Sequence, residues 1–113
     1  MIAFIEAVVY ATGKPANPLE IQIPREAADR LPYDFDEAVP IKLRIDDSEY
    51  KTELRRKRVT WVSWKAVSQE GESRRLGEIL AQKGFVGKER VILQIDGTVL
   101  TLLRQPHSQQ LLR

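Results

Sequence analysis

Four consecutive cations, Arg55-Arg56-Lys57-Arg58, interrupt a stretch of strand-forming residues that runs from 50 to 65. Like charges this close repel one another, and an anion would relieve the repulsion. The same stretch holds both tryptophans of the chain, Trp61 and Trp64, and six of its eighteen Lys and Arg residues. Lys and Arg on an exposed turn suit contacts to phosphate, and a two-stranded ribbon is narrow enough to carry Arg to base edges in a major groove. Arg55, Arg56, Lys57, Arg58 and Lys65 are therefore candidate nucleic-acid ligands, with Tyr50 and Thr60 as flanking hydroxyl donors to phosphate. The competing reading is a solvated turn whose charges protect a strand edge.

Trp61 and Trp64 are an odd number of residues apart, which in a strand directs them to opposite faces. One is expected in the core and the other in solvent. An exposed ring beside arginines is suited to stack on a base or sugar, or else to pack against a cross-strand neighbour.

Charge is distributed unevenly along the chain. Residues 1–50 hold five basic and ten acidic side chains, and residues 51–113 hold thirteen and six. The net charge of +2 conceals this asymmetry, which suggests one face specialised for an anion; the alternative is that the two sets mix on the folded surface.

Support for catalysis is thin. The single histidine, His107, sits beside Pro106 in a polar tail, and there is no cysteine. No Ser-His-Asp set and no His/Cys metal cluster can be assembled, so no catalytic residue, metal or cofactor is expected. One carboxylate pattern bears weighing. Asp34 or Asp36 followed by Glu49-x-Lys51 resembles the Asp…Glu-x-Lys arrangement of metal-dependent nucleases, in which carboxylates hold Mg²⁺ and a lysine assists water. The simpler reading of Asp46-Asp47-Ser48-Glu49 is an acidic turn. Gly84-x-x-Gly87 lacks the Lys-Ser/Thr sequel of a phosphate loop and reads as a helix stop and turn.

The elements that must position these groups follow from periodicity. Residues 2–10 form a largely buried strand; 12–18, with Gly13, Pro15 and Pro18, form a loop; Leu19, Ile21 and Ile23 alternate with polar residues in a second strand. Pro24 starts a short helix over 25–31, whose inner face is Ala27, Ala28 and Leu31. An acidic connector with Tyr33 and Phe35 leads to an alternating strand over 39–45 and a turn at 46–48. After the 50–65 hairpin, residues 66–73 read as a polar loop, and Ser73 caps a helix over 74–83 that Gly84 ends. Strands over 91–95 and 98–103 flank Asp96-Gly97, the strongest hairpin signal in the chain. Residues 105–113 are expected to be a polar tail.

The chain is therefore expected to be one mainly β domain over 1–104, α+β by content. About seven short, largely antiparallel strands should form an open barrel, with two short helices capping its ends. No run of 18 apolar residues is present, the first residues lack a basic region and a long apolar run, and cysteine is absent; the expected location is cytoplasmic, with no contact to a membrane.

The order of elements resembles a known family. Leu19-Glu20-Ile21-Gln22-Ile23-Pro24-Arg25 leading into a short helix, and Gly84-Phe85-Val86-Gly87-Lys88-Glu89-Arg90-Val91 leading into a strand, are similar to segments of B3-like DNA-binding pseudobarrels. These occur in plant transcription factors and in effector or target-recognition domains of restriction endonucleases. The resemblance implies sequence-specific binding of double-stranded DNA. Two arms, residues 11–19 and 50–65, would enter the major groove from one rim, with Thr12, Lys14 and Asn17 supplying the first arm's contacts. It further implies a recognition module of a restriction or regulatory system, acting as a monomer or weak dimer beside a catalytic nuclease partner. A barrel-type interaction domain for a protein or small ligand is the other alternative.

Overall fold

The structure, a computed structural model, describes residues 2–105. Residues 106–113 of the expected polar tail, His107 among them, lie outside the described residues. The barrel expected from the strand count is present and it closes. Seven strands form its wall: β1 (Ile2–Ala11), β2 (Leu19–Ile23), β3 (Val39–Ile45), β4 (Ser48–Arg56), β5 (Thr60–Val62), β8 (Arg90–Asp96) and β9 (Val99–Arg104). Around the wall the order is β3-β9-β8-β1-β2-β5-β4, and β4 pairs back onto β3. Neighbours are antiparallel except β3 and β9, which run parallel from Lys42 opposite Val99 to Ile45 opposite Leu102.

Alternation fills the interior. Ile5, Val9, Ile21, Leu43, Ile45, Leu54, Val62, Leu93 and Leu100 each expose 2% or less of their surface. Burial of side chains of this size contributes about 1.5–3 kcal/mol each before entropy is subtracted.

Helix α1 (Arg25–Ala28) is shorter than expected, but Ala27, Ala28 and Leu31 are buried as the sequence implies. Two further turn bonds, Arg30 N–H to the Ala27 carbonyl and Leu31 N–H to the Ala28 carbonyl, carry the segment past Asp29. Helix α2 (Leu76–Gln82) ends in a Schellman motif. Gly84 N–H bonds the Ala81 carbonyl, Phe85 N–H bonds the Leu80 carbonyl, and Gly84 has φ +84°.

Two departures from the sequence reading concern residues 66–75. The expected loop is a hairpin, β6 (Lys65–Ser68) and β7 (Ser73–Arg75), lying outside the barrel wall on the edge of β4. Helix α2 accordingly begins at Leu76 rather than Arg74, and Ser73 is a strand residue, not a cap. Lys65-Ala66-Val67-Ser68 and Ser73-Arg74-Arg75 carry too little apolar alternation to signal strands. The free edge of β4 organises them.

Strands β5 and β6 are two parts of one arm interrupted by a bulge. Leu54 stands opposite Val62, and Lys51 stands opposite Val67. Three steps along β4 therefore match five along its partner, and the two extra residues are taken up between Ser63, whose N–H still bonds the Glu53 carbonyl at 2.8 Å, and Val67. The Ser63 carbonyl accepts a hydrogen bond from the Thr52 hydroxyl at 3.2 Å, and the Trp64 carbonyl accepts one from Leu76 N–H at 2.7 Å.

The pairing also decides where the two expected arms lie. Loop 12–18 enters β2 at Leu19, whereas the basic tip adjoins its other end, where Ile23 pairs with Thr60. The loop and the tip are therefore at opposite rims. The expectation that both project from one rim is overturned, because β1, β2 and β5 alternate in direction.

Candidate nucleic-acid interface

The tip is the end of β4 and the three residues 57–59, closed by Lys57 N–H donating to the Val59 carbonyl at 2.9 Å. All four cations, Arg55 to Arg58, are exposed, but they are not equivalent. Arg55 donates through Nε and Nη2 to Glu53 Oε1, at 3.2 and 2.9 Å. Arg56 Nη2 reaches Asp29 Oδ1 at 2.7 Å, and its guanidinium lies 5.7 Å from the centre of the Phe35 ring. Asp29 at the end of α1, with the Phe35 ring of the connector, thus answers part of the repulsion inside the molecule. Lys57 and Arg58 form no salt bridge among the described residues.

Arg56, Lys57 and Arg58 share a cavity of about 660 Å³ with Arg25, the first residue of α1, and with Gln22. Pro24 sets Arg25 here: it stops β2 and opens α1 at the rim where the tip folds over. Arg25 was missed by sequence reasoning, since only the pairing of β2 with β5 brings it to the tip. The connector is fixed in turn by Tyr33, whose hydroxyl donates to the Gly97 carbonyl at 2.6 Å. Burial pushes its pKa above the ordinary phenol value, so the proton needed for that bond is retained.

Two flanking donors expected to meet phosphate face the barrel interior instead. Thr60 is 2% exposed and Tyr50 is 6% exposed. Residues that alternate with outward Arg55 and Trp61 must point inward, and Tyr50 lies at the far end of β4 from the tip. Neither hydroxyl can reach a nucleic acid at the tip.

The tryptophans also differ from expectation. Trp64 is exposed, but Trp61 is only half-buried and lies on the outer face opposite Arg55. The two-residue bulge breaks the alternation between them, so neither enters the core. Lys65, just beyond, is exposed and stands opposite Arg75 of β7. The outward surface of the arm therefore runs from Lys57 and Arg58 through Arg55 and Trp61 to Trp64, Lys65 and Arg75.

The first expected arm is built differently. Asn17 Oδ1 accepts the Gly77 N–H at 2.8 Å, taking the place of a side-chain cap at the start of α2. The Thr12 hydroxyl donates to the Asn17 carbonyl at 2.6 Å and accepts Lys14 N–H at 3.0 Å. Thr12 and Asn17 are internal struts of the loop; Lys14 alone of the three is exposed.

The nuclease-like carboxylates are not assembled. Glu49 Oε1 is 2.9 Å from Arg44 Nε at one end of the β3–β4 ribbon. Asp34 and Asp36 precede Val39, which lies at the other end of the ribbon, about 17 Å of strand from Glu49. Among the described residues no group of three His, Cys, Asp or Glu side chains is placed to hold a metal ion. No helix among them is long and apolar enough to cross a membrane.

Comparisons with protein-family models, with curated proteins and with solved structures return no match for this chain.

Proposed function

We propose that this barrel is a nucleic-acid-binding module that engages double-stranded DNA with a single arm, the hairpin of residues 48–68. The observation that carries the reading is the outward surface of that arm, where Lys57 and Arg58 have no carboxylate partner among the described residues. With Arg25 and Arg56 they rim one cavity at the barrel's edge. Such a cluster attracts phosphate oxygens, and the ribbon is slim enough to follow a groove. A cytoplasmic location and a role as the recognition part of a restriction or regulatory system, with cleavage supplied by a separate partner, belong to the same reading.

The test is charge reversal where no internal partner is lost. Lys57→Glu with Arg58→Glu leaves the Arg56–Asp29 and Arg55–Glu53 pairs in place. Fluorescence anisotropy with a random-sequence duplex should show affinity falling at least about tenfold, and the slope of log K against log salt shrinking by about two, one per lost phosphate contact. Unchanged affinity and slope would rule out the arm as the binding element.

A further inference from the structure

The cleft beside Trp64 lies on the same arm, displaced from the tip by about 13 Å of strand. Its cavity of about 400 Å³ is lined by Trp64, Lys65, Ser73, Arg74, Arg75 and Glu78. We propose that this cleft is a stacking subsite for an unpaired nucleobase, with Lys65 and Arg75 taking the adjoining phosphate. The proposal rests on the nucleic-acid reading above and names the class of substrate the arm takes: a single-stranded segment, or a base extruded beside a duplex.

Three features converge on it. First, Trp64 leaves 52% of its surface in water, although tryptophan is highly buried on average. The bulge that exposes it is held by the hydrogen bond from Leu76 N–H, so the ring stands on an anchored backbone. Second, Lys65 and Arg75 are direct partners across the β6–β7 ladder. Like charges at that position destabilise a sheet, and an anion between them reverses the sign of the effect. Third, their internal compensation is weak. Lys65 has no salt bridge among the described residues, and Arg75 Nη1 lies 3.6 Å from a half-exposed Glu78. Arg74, which also lines the cleft, is engaged by Gln82 at 3.2 Å, and Lys65 and Arg75 line it beside Trp64.

The chemistry selects an unpaired base. Within a duplex both faces of each base are covered by stacking, whereas a single-stranded base offers a free π-face to an aromatic ring. The cavity falls in the size range that takes small ligands. A base on Trp64 directs its phosphate toward the cation pair.

The experiment compares the wild type, Trp64→Ala and Trp64→Phe against two probes, a short oligothymidylate and a blunt duplex, by anisotropy, with thermal unfolding as a folding control. Trp64→Ala should weaken oligothymidylate binding on the order of tenfold, Trp64→Phe should recover most of the loss, and any loss of duplex affinity should be clearly smaller than the loss for oligothymidylate. Oligothymidylate binding that is absent in the wild type, or unaltered in Trp64→Ala, overturns the subsite while the duplex reading stands. A wild type that binds neither probe overturns the nucleic-acid reading itself.

Discussion

The basic tip and the loop of residues 12–18 are both short, polar connections between adjacent strands, and both carry residue types that contact nucleic acid. They differ in where their polar groups are directed. In the loop, Asn17 caps α2 through Gly77 N–H, and Thr12 bonds the Asn17 carbonyl and Lys14 N–H. The loop is a clasp between the β1–β2 turn and the helix at that rim. At the tip, Arg56 is held by Asp29 while Lys57 and Arg58 project without a partner among the described residues. Composition marks a polar loop as able to bind; only hydrogen bonds already made show whether that capacity remains available. The two rims differ accordingly: at one the polar groups of the loop are taken up by internal bonds, and at the other Lys57 and Arg58 make no salt bridge among the described residues.

This contrast can be broken most severely at Gly77. An added Cβ would stand 2.7 Å from the Leu19 carbonyl oxygen and press on Asn17 as well. Gly77→Ala should therefore destabilise the fold by roughly 3 kcal/mol, read as a lowered denaturant midpoint with an unchanged slope. The duplex probe should still bind in conditions where the variant is folded.

A smaller loss is expected for Asn17→Ala, about 1 kcal/mol, from removal of a helix cap. Its DNA affinity should match the wild type; a clear loss of affinity at full stability would return the loop to the binding surface. Changes at the tip should show the opposite pattern. Lys57→Glu with Arg58→Glu should leave thermal unfolding within about 0.5 kcal/mol of the wild type, as surface substitutions do, while binding collapses. The smallest effect is expected at Asp29→Asn. The Arg56–Asp29 pair is exposed on both sides, so stability should fall by no more than about 0.5 kcal/mol. Releasing Arg56 toward the cavity should tighten duplex binding modestly, a rise that competition anisotropy at low salt would detect.

Much of the architecture was legible in the chain. Alternation at Leu19, Ile21 and Ile23 and at Ile41, Leu43 and Ile45 marks strands because one face is buried and the other wet. Asp96-Gly97 marks a hairpin, and Gly97 has φ +63° there. Gly84 marks a helix end for the same backbone reason. The β6–β7 hairpin was not legible, because Ala66 is its one core residue and pairing with the edge of β4, rather than an alternating apolar pattern, forms its strands. The site was only half legible. The clustering of Arg55 to Arg58 is a property of sequence. That Thr60 and Tyr50 turn inward, that Arg25 joins the tip, and that Trp61 and Trp64 both avoid the core depend on the register of β4 against β5 and β6 and on one bulge.

The sequence by itself determined that this protein is a small β barrel with short helices and a basic, tryptophan-bearing hairpin, since hydrophobic periodicity and turn chemistry are local. Tertiary structure alone decided that the hairpin tip and the loop of residues 12–18 face away from each other. Strand direction around a closed barrel is set by non-local pairing, and no local pattern records which rim a loop will occupy. It also decided which cations remain available, because Asp29, twenty-seven residues from Arg56, becomes its partner only when α1 closes the rim beside the tip.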